Sequence, residues 1–113
     1  MVTVYGIKNC DTVKKARVWL DQHHIVYQFY DYKAEGVNQA LLDEFAQCFG
    51  WENLLNKRST TWRQLADSQK EGLTSETALQ LLLEYPTLIK RPILITGDIF
   101  IIGFDADEYQ AKL

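Results

Sequence analysis

Apolar residues along this 113-residue chain fall either in short, near-continuous β-branched and aromatic runs or at a period near 3.6, and each switch marks an element. Val2-Thr3-Val4-Tyr5 is a β-branched and aromatic run that predicts a buried strand. Val13, Ala16, Val18 and Leu20 then recur at helical spacing as far as His23-His24. Residues 25–31, Ile-Val-Tyr-Gln-Phe-Tyr-Asp, read as a second strand, and 33–36 as a polar loop. A strand–helix–strand unit of this length implies a parallel pair with a right-handed crossover. Leu41, Leu42, Phe45 and Phe49 form one face of a helix over 38–49 that stops at Gly50. Residues 51–55 form a short turn or one-turn helix. Ser59 or Thr60 caps a helix to about Ala66, and a break covers 67–72. Thr74 or Ser75 caps a further helix, with an approximate capping box at Thr77, and Pro86 ends it. Two apolar strands flank Gly97-Asp98 in a hairpin, and 104–112 can form a closing helix.

The order is therefore βαβ, several helices, ββ and α. It predicts an α/β protein with a four-stranded mixed sheet flanked by helices. Residues 1–113 are read as one domain with a helical insertion at about 37–88. An apolar fraction of 47% is enough for a core without staples. A net charge of −3 with both signs interspersed gives no footprint for nucleic acid or an anionic membrane. No apolar run is long enough for a bilayer, and no secretory leader pattern opens the chain. The expectation is a soluble, monomeric, cytoplasmic protein. Two cysteines and two histidines, spaced unlike zinc ligands, predict no structural metal.

Cys10 gives the chain its candidate chemistry. Gly6 is expected to permit a reversal after the first strand, and Asp11 or Thr12 to cap the helix that follows. Cys10 then lies in the loop feeding a helix N-terminus, where unpaired N–H groups stabilise a thiolate. Lys8, Lys14 and Lys15 add positive charge, and Asp11 opposes it. A small apolar residue closing a strand–helix turn is an equally good account of Cys10, and both readings stand. Cys48 lies on or beside the apolar face of its helix and reads as structural. His23 and His24 suit a helix end, and Trp51 and Trp62 suit core or pocket wall. Asn9 could donate its amide to a thiolate or merely shape the turn. Arg58 and Arg91 could hold an anion through paired guanidinium bonds; a solvated arginine at a helix entry is the plain account of Arg58. Arg91 precedes Pro92, which fixes a bend before the hairpin.

Three stretches in order resemble the arsenate reductase (ArsC)/Spx family across essentially the whole chain, closest to its single-cysteine YffB-like subgroup. They are Tyr5-Gly6-Ile7-Lys8-Asn9-Cys10-Asp11-Thr12-Val13-Lys14-Lys15-Ala16, Asn56-Lys57-Arg58-Ser59-Thr60-Thr61-Trp62-Arg63 and Lys90-Arg91-Pro92-Ile93. The resemblance implies a thioredoxin-like fold, Cys10 as nucleophile, Arg58 and Arg91 framing an oxyanion site, and a cis Pro92 beside the thiol. Arsenate reductases carry a third arginine after the last strand. Here that region is Gly103-Phe104-Asp105-Ala106-Asp107, which argues against arsenate reduction. Spx-type members often carry a second cysteine three residues after the first; here Val13 stands there.

The expected function is thiol-dependent reduction with Cys10, Arg58 and Arg91 as the catalytic set and Asn9 and Pro92 as binding residues. A lone thiol needs an external thiol to resolve its intermediate, so glutathione is expected as co-substrate, with no tightly bound cofactor. The alternatives are a Spx-like module that binds a protein partner without chemistry, and arsenate reductase itself.

Overall fold

β1 (Val2–Gly6) pairs in parallel with β2 (Tyr27–Asp31), and α1 (Asp11–Gln22) carries the chain between them. The computed structural model describes all of residues 1–113. β1 also pairs antiparallel with β3 (Ile93–Thr96), which pairs with β4 (Ile99–Ile102), so the sheet order is β2-β1-β3-β4. This is the mixed four-stranded, thioredoxin-like arrangement that the sequence predicts. α8 (Ala106–Lys112) closes the chain. No helix is long and apolar enough to cross a membrane.

The chain divides into two units. Met1–Gly36 and Arg91–Leu113 build the sheet unit, and Val37–Lys90 builds a helical one. In the sheet unit, Val2, Val4, Ala16, Leu20, Leu94, Ile101 and Tyr109 form one buried cluster. It joins one face of β1, β3 and β4 to α1 and α8. The alternation Val4 in, Tyr5 half-exposed follows from the strand period of two. Gly97, at φ 55°, supplies the left-handed residue that a two-residue hairpin turn needs.

The helical unit contains α3 (Gln39–Phe49), α4 (Trp51–Leu54), α5 (Thr60–Gln64), α6 (Asp67–Lys70), α7 (Ser75–Glu84) and a 3-10 turn at Pro86–Leu88. Side chains set its boundaries. Asn38 Oδ1 accepts Leu41 N–H at 2.9 Å, and Ser59 Oγ accepts Trp62 N–H at 3.1 Å. Thr74 and Thr77 make the reciprocal bonds of a capping box. Phe45, Leu42, Leu54, Leu82 and Leu88 are fully buried.

Local structure departs from the sequence expectation in several places. The second strand begins at Tyr27 rather than Ile25, because pairing with β1 begins at Val2↔Tyr27 and Ile25 N–H is still bonded to the Leu20 carbonyl. The polar stretch after it is a one-turn helix, α2 (Tyr32–Glu35), capped by Asp31 Oδ1 on Lys33 N–H at 2.9 Å. The break at 67–72 contains α6, entered through Gln69 Oε1 accepting Ala66 N–H at 3.0 Å. α5 ends at Gln64, and α8 starts only after Asp105 caps it.

Gly6 is needed for another reason than a reversal. It lies within β1, outside the positive-φ set. A Cβ built on Gly6 would stand 2.8 Å from Val13 Cγ2, so its missing side chain lets α1 lie close on β1. Val13 is β-branched and fully buried, with no room to yield. Gly6→Ala should therefore lower stability by about 1–3 kcal/mol, as overpacking does. Urea titration against the parent checks it, and an unchanged midpoint would refute the close-packing account.

Candidate functional site

The carboxyl ends of β1 and β2, the start of β3 and the end of β4 meet at one edge of the sheet. In open α/β sheets this is where ligands bind. Cys10 belongs to this edge, four positions beyond Gly6. It is itself the N-cap of α1, replacing the expected Asp11 or Thr12. Its backbone is extended (φ −141°, ψ 120°), and its carbonyl accepts Lys14 N–H at 3.0 Å. Helix geometry thus begins immediately after the thiol. No side chain caps this end, so the first-turn N–H groups keep their capacity to bind an anionic sulfur or oxygen. Cys10 is half-buried and Asn9 exposed beside it. Asp11, Lys14 and Lys15 are exposed around the first turn.

The Arg91-Pro92 peptide bond is cis, as the family resemblance implies. Tyr5 pairs with Ile93, so Arg91-Pro92 runs past the end of β1, where the chain departs for Cys10. Arg91 Cβ would lie 3.8 Å from a Cβ on Gly6. Pro92 is buried, and its carbonyl accepts Gly103 N–H at 2.8 Å, which ties in the end of the hairpin. Cys10, Asn9, Arg91 and Pro92 are thus all in the sheet unit, on loops leaving one edge. Gly103–Asp107 leaves the same edge. There Asp105 Oδ1 accepts the N–H groups of Asp107 and Glu108, at 2.9 and 3.2 Å, so this carboxylate acts as the cap of α8.

Arg58 lies in the helical unit, exposed, in the loop before α5. Its N–H donates to Asn56 Oδ1 at 3.0 Å, which fixes the turn. Lys57 Nζ and Lys70 Nζ lie 5.8 and 5.4 Å from the Trp62 ring centre, within cation–π range. Trp62 is half-buried and has two ammonium groups near its ring. Arg63 is exposed.

Cys48 is half-buried on α3, and burial, together with the nearby Glu44 carboxylate, pushes its thiol up. Both effects disfavour a thiolate. His23 Nδ1 bonds the Trp19 carbonyl at 2.8 Å, and its ring stacks on Trp19 at 3.8 Å, so a helix-end role accounts for it. No cluster of three His, Cys, Asp or Glu side chains could hold a metal ion.

Sequence reasoning missed Tyr32. It opens α2 directly after β2, whose last residue pairs with Gly6. Its ring is 2% exposed and its hydroxyl is buried. Burial pushes the phenol well above its ordinary range, while the Arg91 charge pulls it down in part. A tyrosine placed just past the carboxyl end of a parallel strand is the signal that could have marked it.

The ArsC family model matches residues 5–112. An uncharacterized protein of Haemophilus influenzae is 52% identical over 111 residues, covering 98% of this chain and 97% of that protein. The solved YFFB protein is 44% identical with a TM-score of 0.95, covering 100% of this chain and 99% of its own. The global transcriptional regulator Spx of Streptococcus agalactiae is 29% identical across 100% of this chain and 83% of that protein. The match extends from the strand before Cys10 to the helix that ends the chain, and this protein belongs to the ArsC family.

Proposed function

We propose that the protein is a cytoplasmic thiol-dependent reductase that uses Cys10 as nucleophile and glutathione as co-substrate. The observation that carries this reading is the convergence at one sheet edge of Cys10, as N-cap of α1, with Arg91-Pro92 at the entry to β3. The Cys10 thiolate attacks one sulfur of a disulfide. A mixed disulfide forms and the other sulfur leaves as a thiolate. Val13 is fully buried where Spx-type members carry a second cysteine, so an external thiol must resolve the mixed disulfide. Glutathione thiolate attacks the substrate's sulfur, forms a new disulfide with it and returns Cys10 to the thiolate. Arg91 holds a glutathione carboxylate by paired hydrogen bonds, and the family resemblance proposes Arg58 for the same task. Asn9 supplies a donor beside the thiol. Arsenate is disfavoured, because Asp105 and Asp107 stand where a third arginine would complete an arsenate site.

Incubation with oxidised glutathione, followed by mass spectrometry of the peptides, tests this. One adduct is expected, on Cys10, with Cys48 lagging because its surroundings keep the thiol protonated. Arg91→Ala and Arg58→Ala should each slow adduct formation roughly tenfold, the equivalent of one charge-assisted contact. Lys57→Ala and Arg63→Ala should leave the rate unchanged. An adduct on Cys48 at the same rate, or none on Cys10, would refute the reductase. It would then favour a protein-binding module, the reading suggested by whole-length similarity to Spx.

A further inference from the structure

The Tyr32 hydroxyl is buried and has no hydrogen-bond partner, in a corner where a phenylalanine would fill the same space. A buried polar atom left this way calls for a reason, and a binding role is one. The surroundings define the role. Asp31, one residue before, stands opposite Gly6, and Arg91 Cβ approaches the Gly6 position to 3.8 Å. The Arg91 charge acts on the phenol, as do the hydroxyls of Tyr5 and Tyr30. The Tyr30 hydroxyl is already committed, donating to the Gly36 carbonyl at 2.8 Å. Arg91 is half-buried, with Nε inside, so only part of its guanidinium meets solvent.

A guanidinium has five N–H donors, and an oxyanion ligand takes two of them in a paired contact. A buried phenol oxygen can accept another. We propose that Tyr32 is a positioning residue for Arg91, its phenol oxygen accepting a guanidinium N–H when Arg91 turns to hold a bound oxyanion. The bond forms only in the bound state, so it adds to affinity and not to the stability of the free protein. This inference rests on the anion-binding role given to Arg91 above.

A double-mutant cycle on the full chain tests it. S-methylglutathione, which cannot form a disulfide, and inorganic sulfate serve as separate calorimetric probes. Tyr32→Phe should weaken binding roughly tenfold in the parent, and about twofold or less in an Arg91→Lys background. The Tm of free Tyr32→Phe should equal or exceed the parent's, because an unpaired buried hydroxyl is removed. The proposal is overturned if the parent and Tyr32→Phe bind equally. It is overturned if the loss is the same in the Arg91→Lys background, or if the free variant melts lower, which would show a structural partner for the hydroxyl. If sulfate alone binds, the glutathione reading fails and the cycle is decided with sulfate. If neither probe binds the parent, both fall.

Discussion

Tyr109→Ala is expected to cost about 3–5 kcal/mol, the range for removing a large buried aromatic. Most small domains have only about 5–15 kcal/mol in total. Tyr109 is fully buried and stands edge-on to two other rings, Trp19 at 5.3 Å and Phe104 at 4.9 Å. It carries α8 onto the sheet unit. A helix of seven residues cannot persist alone in water, so its order derives from this docking. Truncation would open a cavity bordered by Trp19 and free the C-terminal helix together. Tyr109→Phe keeps the ring and drops only a weak bond, at 3.5 Å, to the Gly103 carbonyl. Urea titrations of both variants separate the two effects. An Ala variant within about 1 kcal/mol of the parent would mean that α8 is not anchored by this ring.

The second large effect is loss of the fold in alkali. Burial raises the phenols of both Tyr32 and Tyr109, and the Glu108 carboxylate adds to the rise at Tyr109. In the unfolded chain each ionises near its ordinary value of about 10. Below that value both states hold the proton, and the stability these phenols contribute is fully present. Above it the unfolded state has lost protons that the folded state retains, so stability falls with rising pH. Each phenol then removes about 1.4 kcal/mol per pH unit until its folded-state value is reached. Two such groups acting between pH 10 and 12 remove about 5 kcal/mol together, which is the whole stability only of a domain at the low end of the usual range. Denaturant midpoints measured from pH 8 to 12 should fall steeply only beyond about 10, and Tyr32→Phe should flatten the descent. A midpoint independent of pH over that span would contradict the burial of both phenols.

Elements governed by local periodicity were legible in the sequence. β1, α1, α3, α7 and the hairpin at Gly97-Asp98 each carry an apolar period or a capping signature of their own. α2 and α6 do not. They are single turns held by one side-chain bond each, Asp31 to Lys33 and Gln69 to Ala66, with too few residues to show a period. The need for Gly6 was legible, but its cause was not, because Val13 reaches it only through the packing of α1 on β1. The site divides similarly. Cys10 stands out because it precedes a helix, and Arg91-Pro92 because of its motif. Tyr32 stays hidden because its hydroxyl loses water only when distant parts of the chain assemble around it. Arg58 carries a motif signal alone, and its local bonds in the helical unit are those of a turn residue.

The sheet unit is drawn from both ends of the chain, with residues 37–90 set between its two parts. During synthesis β1, α1 and β2 leave the ribosome early, as a parallel pair whose outer partner does not yet exist. β1 gains its second neighbour only when β3 emerges, some sixty residues after β2. Until then one edge of β1 is open to any strand that can pair with it, including one from another nascent chain. The Cys10 loop extends from that same strand, so the thiol is synthesised long before Arg91-Pro92 can be laid beside β1. Closing so distant a contact slows assembly, as non-local pairing does in general. The entropic cost of the closure grows only logarithmically with the length of the intervening segment. Changes in length at the surface turns between residues 37 and 90 should therefore leave this closure step little altered.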